Sequence, residues 1–408
     1  MPSEEAVASL RLLLADGVGH ARARALRDAF GSACAALDAS AAAVAAAIRV
    51  GEADAARMLR EARGADVGGE LRVLGEKCAR IVLEHDDEYP ALLRASTDPP
   101  AMLFACGDVV GPARESQPEI AVAIVGSRSA TTYGVLQAGR IACELAERGI
   151  TVVSGGARGI DAEAHRGALR AGGRTIAVVA TGLAHPYPAA HEPLFAAIVE
   201  AGGCVMTEQP AAVTVRADLF PRRNRIIAAL GLVTVVVEAA HRSGALLTAR
   251  IAVEDLSRDV GCVPGPVESA LSEGCHRAIR EGWARLVTGA DDVCEMIADA
   301  RSLAMGAVEV ARRERPPRKK PAVDAKSDAP RAVSDDARAV LTEVRNQRRA
   351  GLDELERALG WPIPRLACAT LELEVAGAVE RDAQGAFKLR GARIAPTESS
   401  DRKDGRVL

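Results

Sequence analysis

Six short apolar runs recur between Ile120 and Val263, most of them ending in a turn that carries glycine or arginine. Ile120–Val125, Thr151–Ser154, Thr175–Ala180, Cys204–Thr207, Val233–Glu238 and Val260–Val263 read as strands. Amphipathic stretches fall between most of them, and Val135–Arg148, Ala162–Ala171, Ala190–Ala201 and Ala245–Leu256 read as helices. Strands this uniformly apolar need cover on both faces, which a parallel sheet flanked by helices supplies. The pattern predicts an α/β protein with an extended Rossmann-like core, and such cores hold ligands outside the carboxyl ends of their strands.

The flanks differ from this core. Residues 1–84 read as a small helical module, in which Gly17-Val18-Gly19 before an arginine-flanked helix fits either a helix-hairpin-helix or an ordinary turn. Residues 85–112 are loop-rich, with Tyr89-Pro90 and Pro99-Pro100, and the core unit spans 85–300. Residues 301–334 gather arginine, lysine and proline with few large apolar residues, the composition of a flexible basic linker. Residues 335–390 regain periodicity as helices followed by two strands, Ala378–Arg381 and Ala386–Leu389, the pattern of a winged helix. Its candidate recognition helix, Pro364–Ala376, sets Arg365 against Glu372 and Glu374, so it fits a protein-interaction unit better than a reader of the major groove. Residues 391–408 read as a disordered tail.

Net charge is −3 over 408 residues, which by itself argues against a nucleic-acid binder. The distribution matters more. Between Glu119 and Arg301 there is no lysine, so every permanent positive charge is an arginine, a planar fork suited to phosphates and stacking. Nine cysteines lie scattered without a Cys-x-x-Cys pair. That spacing predicts no metal site and fits a reducing cytoplasm. An acidic N-terminus without a signal-peptide layout, and no apolar run long enough to span a bilayer, point the same way.

Five strand-end segments carry the chemistry. Gly126-Ser127-Arg128 joins backbone access, a hydroxyl and a cation, although alone it is also an ordinary surface turn. Ser154-Gly155-Gly156-Ala157-Arg158-Gly159-Ile160-Asp161 opens a helix and forms a glycine-rich anion cradle. It lacks the Gly-x-Gly-x-x-Gly fingerprint and a Walker lysine, so dinucleotide binding and ATP hydrolysis lose support and no cofactor is expected. Asp161 and His165, four apart, read as a helix cap and an internally bonded histidine ahead of an acid–base pair. Phe220-Pro221-Arg222-Arg223-Asn224-Arg225 sets three arginines beside a ring. Cations at a helix start oppose its dipole, so a bound anion explains the cluster better than solvation. Ser243-Gly244 and Val263-Pro264-Gly265 complete the series. Together these loops describe an anion-binding rim with Ser127, Arg128, Gly155, Gly156, Arg158, Gly159, Phe220, Arg222, Arg223, Asn224, Arg225, Ser243 and Gly244 as candidates. Aromatic residues make up only 2%, so affinity at such a rim is electrostatic and salt-sensitive, with Tyr133, Tyr187 and Phe220 as the available rings.

The order of these motifs, with Tyr133-Gly134, Ala164-His165, Tyr187-Pro188 and Val-Glu-Ala…Ser-Gly-Ala-Leu-Leu-Thr-Ala between them, resembles the DprA/Smf family over about 85–295. The resemblance implies a cytoplasmic, non-enzymatic protein. It would bind single-stranded DNA without sequence specificity during transformation, load the RecA recombinase onto it, and dimerise through the Rossmann-like core. It places Ser127, Arg128, Arg158, Arg222, Arg223 and Arg225 in a positive DNA pocket, with Arg128 foremost. The chain departs from the family pattern at His276, where asparagine is usual, at Trp283, where alanine is usual, and at Thr207-Glu208-Gln209-Pro210. One alternative is a phosphoribohydrolase-like nucleotide hydrolase on a related fold. Its Pro-Gly-Gly-x-Gly-Thr-x-x-Glu stretch is missing here, and Glu238 or Glu254 would have to supply the carboxylate. The other alternative is a protein-only scaffold.

Overall fold

A computed structural model describes residues 2–109, 120–301 and most of 334–389. It divides into two compact units, Met1–Arg315 and Pro316–Leu408. The basic linker and the tail expected from the sequence lie outside the described residues, apart from the linker's outermost positions.

The first unit is built on a nine-stranded sheet. Its strands are β1 (Ala79–Leu83), β2 (Met102–Gly107), β3 (Ala121–Val125), β4 (Thr151–Ser154), β5 (Thr175–Val178), β6 (Cys204–Thr207), β7 (Val233–Val236), β8 (Val260–Cys262) and β9 (Arg285–Leu286). Their spatial order is β1-β2-β6-β5-β4-β3-β7-β8-β9. From β6 to β9 all neighbours pair in parallel, while β1 and β2 add an antiparallel edge beyond β6. The pleat sends Val122 and Ile124 into one core and Ala123 and Val125 into the other, which is why β3 is apolar throughout. On the first face lie α8 (Thr132–Glu147), α9 (Ile160–Arg170) and helical residues 290–301. On the second lie α11 (Leu219–Leu230), α12 (Gly244–Glu254) and α13 (Glu273–Arg280). From β3 the chain builds outward through β4, β5 and β6, then returns to the other side of β3 with β7. The reversal opens a crevice between the loops that follow β3 and β7.

Two elements run against the sequence expectation. Strand β2 lies inside the segment read as loop, because the prolines around it mark its ends and one of its two pairing partners, β6, is remote in the chain. Strand β1 pairs with β2, so the sheet begins before residue 85.

Six helices precede the sheet: α1 (Glu4–Leu14), α2 (His20–Phe30), α3 (Ala33–Asp38), α4 (Ala41–Ile48), α5 (Glu52–Gly64) and α6 (Val67–Glu76). Ser3, Ser32 and Ser40 cap α1, α3 and α4 by accepting an amide three residues on. The module closes its own core around Leu12, Leu26, Val44 and Leu59. It packs on the sheet through an apolar cluster that joins Leu10 and Leu74 to Met102, Phe104 and Val205, and polar contacts add to this. Glu70 accepts the Ala211 and Ala212 amides at 2.6 and 3.3 Å, and His20 donates from Nε2 to the Glu208 carbonyl at 2.8 Å. The second unit holds α15 (Asp335–Gln347), α16 (Leu352–Leu359) and the antiparallel pair β10 (Val379–Arg381) and β11 (Phe387–Leu389), around Val340, Leu355, Leu373 and Phe387.

Two histidines are held neutral. Burial lowers His20 to about 4 and the fully enclosed His165 to about 3. His165 donates from Nδ1 to Thr175 Oγ1 at 2.7 Å, since the Thr175 proton already goes to the Val152 carbonyl. Both histidines take up a proton on unfolding below about pH 6.5, so their contribution is complete above that pH and is lost as pH falls towards the folded values. On replacing His20 by Gln, which keeps a donor for Glu208, the stability lost between pH 7.5 and pH 5 should shrink by about 2 kcal/mol in urea titrations. An unchanged pH dependence would contradict the assignment.

Candidate nucleic-acid interface

The loop after β3 is held from both sides. The Ser127 amide donates to the Glu238 carbonyl in the loop after β7 at 2.8 Å, and the Ser127 carbonyl accepts the Ile160 amide at 3.2 Å. Glu238 is 1% exposed and also binds through its side chain. Its carboxylate accepts the Thr131 hydroxyl at 2.5 Å and the Thr131 amide at 2.9 Å. Thr131 in turn caps α8 by accepting the Gly134 amide at 3.1 Å. One buried carboxylate thus ties the Gly-Ser-Arg loop, the start of α8 and the end of β7 together. Gly159 lets the β4 loop approach: its φ is +77°, and a Cβ there would lie 2.2 Å from the Ser127 carbonyl oxygen.

With the backbone fixed, Arg128 is exposed and its guanidinium lies 4.5 Å over the Phe220 ring. Phe220 meets Tyr187 edge-on at 5.9 Å between centroids, and Tyr187 is 42% exposed. An arginine on an aromatic face, with a second ring beside it, presents charge and stacking surface together. Arg158 and Arg222 are exposed as well. So is Arg242, immediately before the α12 cap Ser243. Among the described residues none of these four arginines pairs with a carboxylate. Arg242 was missed as a site residue, although its position beside Ser243-Gly244 in a strand-end loop was the available signal.

The other two arginines of α11 are occupied. Arg223 is 5% exposed and donates to the carbonyls of Gly155 and Val178, so it fastens the β4 loop from beneath. Burial lowers it to about 10, opposed by Asp161 and assisted by Arg128. A Cβ on Gly155 would fall 2.5 Å from the Arg223 Nη1, which accounts for glycine there. Arg225 pairs with Glu208 and with Asp98, whose carboxylate is 3.4 Å from Nε. Protein groups rather than a bound anion therefore balance two of the three charges that the sequence set at this helix start, leaving Arg222 facing solvent.

Between the loops lies a pocket of about 490 Å³ whose lining includes Ser127, Asp161, Asn224, Ser243 and Thr248. Asn224 donates to the Gly244 carbonyl at 3.2 Å, and Ser243 caps α12 by accepting the Leu246 amide at 3.3 Å. Asp161 accepts the Ala157 amide at 3.3 Å. Burial raises its pKa, opposed by Arg223, by that amide and by Arg128. The glycines 155, 156 and 159, with Ser127, Arg128, Arg158, Phe220, Arg222, Asn224, Ser243 and Gly244, thus converge on one edge of the sheet. The structure sets Arg223 below that edge and Arg225 beside it. Two of the three departures from the family pattern have these local partners: His276 Nε2 lies 3.0 Å from the Gly265 carbonyl, and Trp283 carries Arg250 at 4.2 Å over its ring.

A mostly parallel Rossmann-like sheet whose switch-point loops carry exposed arginines in place of a dinucleotide fingerprint puts the chain in the class of doubly wound α/β proteins. Comparison with known proteins names the family. The profile of the DNA recombination-mediator protein A family matches residues 80–298, and that of the DprA winged helix domain matches 324–385. The chain belongs to this family of DNA-processing proteins. It is 39% identical over 333 residues to the putative DNA processing protein DprA of Mycobacterium tuberculosis, covering 79% of this chain and 80% of the relative. To the Smf protein of Escherichia coli it is 45% identical over 208 residues, or 51% of this chain and 54% of the relative. The X-ray structure of DNA processing protein A from Streptococcus pneumoniae superposes with a TM-score of 0.61 at 30% identity, covering 72% of this chain and 98% of the other. Among the described residues no helix is long and apolar enough to cross a membrane, and no cluster of residues suits a metal ion.

Replacing Glu238 by Ala leaves the Thr131 hydroxyl and amide without their acceptor. It should cost about 3 kcal/mol in denaturant titrations, the scale of buried bonds to a charged group. A loss below about 1 kcal/mol would show that the loop holds itself.

Proposed function

We propose that the chain binds single-stranded DNA along the switch-point rim, without reading a sequence motif, and hands that strand to the RecA recombinase during DNA uptake and recombination. The observation that carries the reading is the set of exposed arginines without a carboxylate partner, Arg128, Arg158, Arg222 and Arg242, at the strand-end loops and the start of α11, with Arg128 over the Phe220 ring. Phosphates supply what those cations lack, and the exposed Tyr187 ring beside the half-buried Phe220 favours bases freed from a duplex. Membership of a recombination-mediator family supports the hand-over to a recombinase. A cytoplasmic homodimer built through the sheet domain follows from the same family resemblance.

The work needs no bond-breaking step. The hydrolase alternative would draw its carboxylate from Glu238 or Glu254. Glu238 spends both oxygens on Thr131, and Glu254 pairs with Arg250 on the surface of α12. In the winged-helix unit Arg365 is engaged by Asp336 at 2.6 Å and lies over Trp361, so that arginine is not free for phosphate.

Arg128→Glu should remove single-strand binding in fluorescence anisotropy with the melting temperature nearly unchanged, since an exposed phosphate contact contributes little to folding. Arg223→Ala should instead lower the melting temperature, because two carbonyls lose their donor. If Arg128→Glu lowers the melting temperature and spares binding, the assignment fails. Removal of 335–408 should leave affinity within about tenfold, or 1.4 kcal/mol. A larger loss would place the main DNA contact in the winged-helix unit.

A further inference from the structure

A second concavity, of about 960 Å³, lies between the helical module and the loop that follows β6. One wall is the turn from Asp16 to His20, between α1 and α2, which the rim leaves without a role. The other wall includes Gln209, Pro210, Ala212 and Val213, with Arg216, and with Arg222 and Arg225 of α11. Arg222 therefore stands on both features. It is one of the four exposed rim arginines without a carboxylate partner, and it lines this groove.

Most charges of the groove are balanced within the protein. Glu208 pairs with Arg225, while Asp98 meets Arg225 at 3.4 Å and Arg24 at 2.8 Å. Glu70 is engaged by the Ala211 and Ala212 amides, and Asp16 lies 3.6 Å from Arg57. His20, held neutral by burial, gives Nε2 to the Glu208 carbonyl. Arg216 meets Asp218 at 3.2 Å, but both side chains are more than half exposed, so water competes for that pair. What remains for a ligand is the free Arg222 and the loosely held Arg216, beside half-buried Leu13, Leu14, Pro210 and Val213. Cations next to apolar side chains match the two halves of an unpaired nucleotide, its phosphate and its base. The volume is at the upper end for a small-molecule site and suits a stretch of chain.

We infer that a strand bound at the rim continues past Arg222 into this groove, so that the helical module is part of the DNA-binding surface and lengthens the site by a few nucleotides. The inference rests on single-strand binding at the rim.

Gly19 allows a test that leaves the fold intact. It is exposed in the groove, heads α2 at φ −78° without a side-chain cap, and has open space where a Cβ would stand. Aspartate or asparagine there supplies the missing cap, so Gly19→Asp and Gly19→Asn should both melt no lower than the wild-type chain while differing in charge. Ala212, exposed on the other wall, takes the opposite change, Ala212→Lys. The measurement is fluorescence anisotropy of the full chain with oligo-dT strands of about 4 to 16 nucleotides over a salt series. In the wild-type chain affinity should rise with length, and the salt slope should steepen by about 0.7 for each phosphate that enters the groove. Gly19→Asp should hold the longest strand about fivefold more weakly than Gly19→Asn, the upper range for one exposed charge, and Ala212→Lys should hold it more tightly than wild type. All of these chains should bind the shortest detectable strand alike. A gain with length that Gly19→Asp and Ala212→Lys leave untouched would overturn the groove and assign the extra nucleotides to another surface. Equal effects of both variants at every length would overturn it too, since the new charges would then act on the rim itself. Absence of binding by the wild-type chain at every length would remove the rim reading, and the groove with it.

Discussion

The buried carboxylate of Glu238 is the interaction on which the rest of the site depends. It lies at the one place in the sheet where two neighbouring strands send their loops apart, and it takes two donors from Thr131 while its own carbonyl takes the Ser127 amide. A loop that must present Arg128 to solvent has no hydrophobic anchor of its own. Its conformation is fixed by polar bonds made below the surface, where water does not compete for them. The positive φ of Gly159 serves the same end from the other side, since it allows the β4 loop to lie directly against Ser127.

Arginine does two different jobs here, and burial separates them. Arg223 sits under a loop and bonds carbonyls. Arg258, lowered by burial to about 10, closes the end of α11 by donating to the carbonyls of Ala228, Ala229 and Gly231. Those cations are part of the framework. Arg128, Arg158, Arg222 and Arg242 are exposed and free of carboxylates, so their charge remains available. A net charge of −3 is compatible with a polyanion partner because the unpaired arginines stand together at one edge.

Much of this arrangement is legible in the residues. The six parallel strands read from 120–263 fall within one or two residues of their observed positions, because full burial on both faces leaves short apolar runs rich in valine and bounded by turn residues, a length and composition that suit a strand and not a helix. The reading of His165 as an internally bonded histidine matches the structure, but Asp161 is not the helix cap: Gly159 holds the cap position without a side-chain bond, and Asp161, inside the first turn, accepts the Ala157 amide of the preceding loop. Strand β2 was not legible, since prolines flank it and the strand that joins it to the parallel sheet, β6, is distant in sequence. Nor was the direction of Arg223: three adjacent arginines look alike on paper, and only the helix register turns one inward, one towards Glu208 and one to solvent. For Glu238 a structural role was the stronger reading and the structure gives it one, but its partner Thr131, more than a hundred residues away, was not legible.

The central claim is that unpaired arginines at the switch point neutralise the backbone of a single strand. The measurement that tests it most directly is the affinity for oligo-dT, against a duplex of the same length, over a range of salt concentrations. Four phosphate contacts predict a fall in log affinity with log salt of slope about −3, and weaker binding to the duplex. A slope near zero, or equal binding to the duplex, would contradict the account.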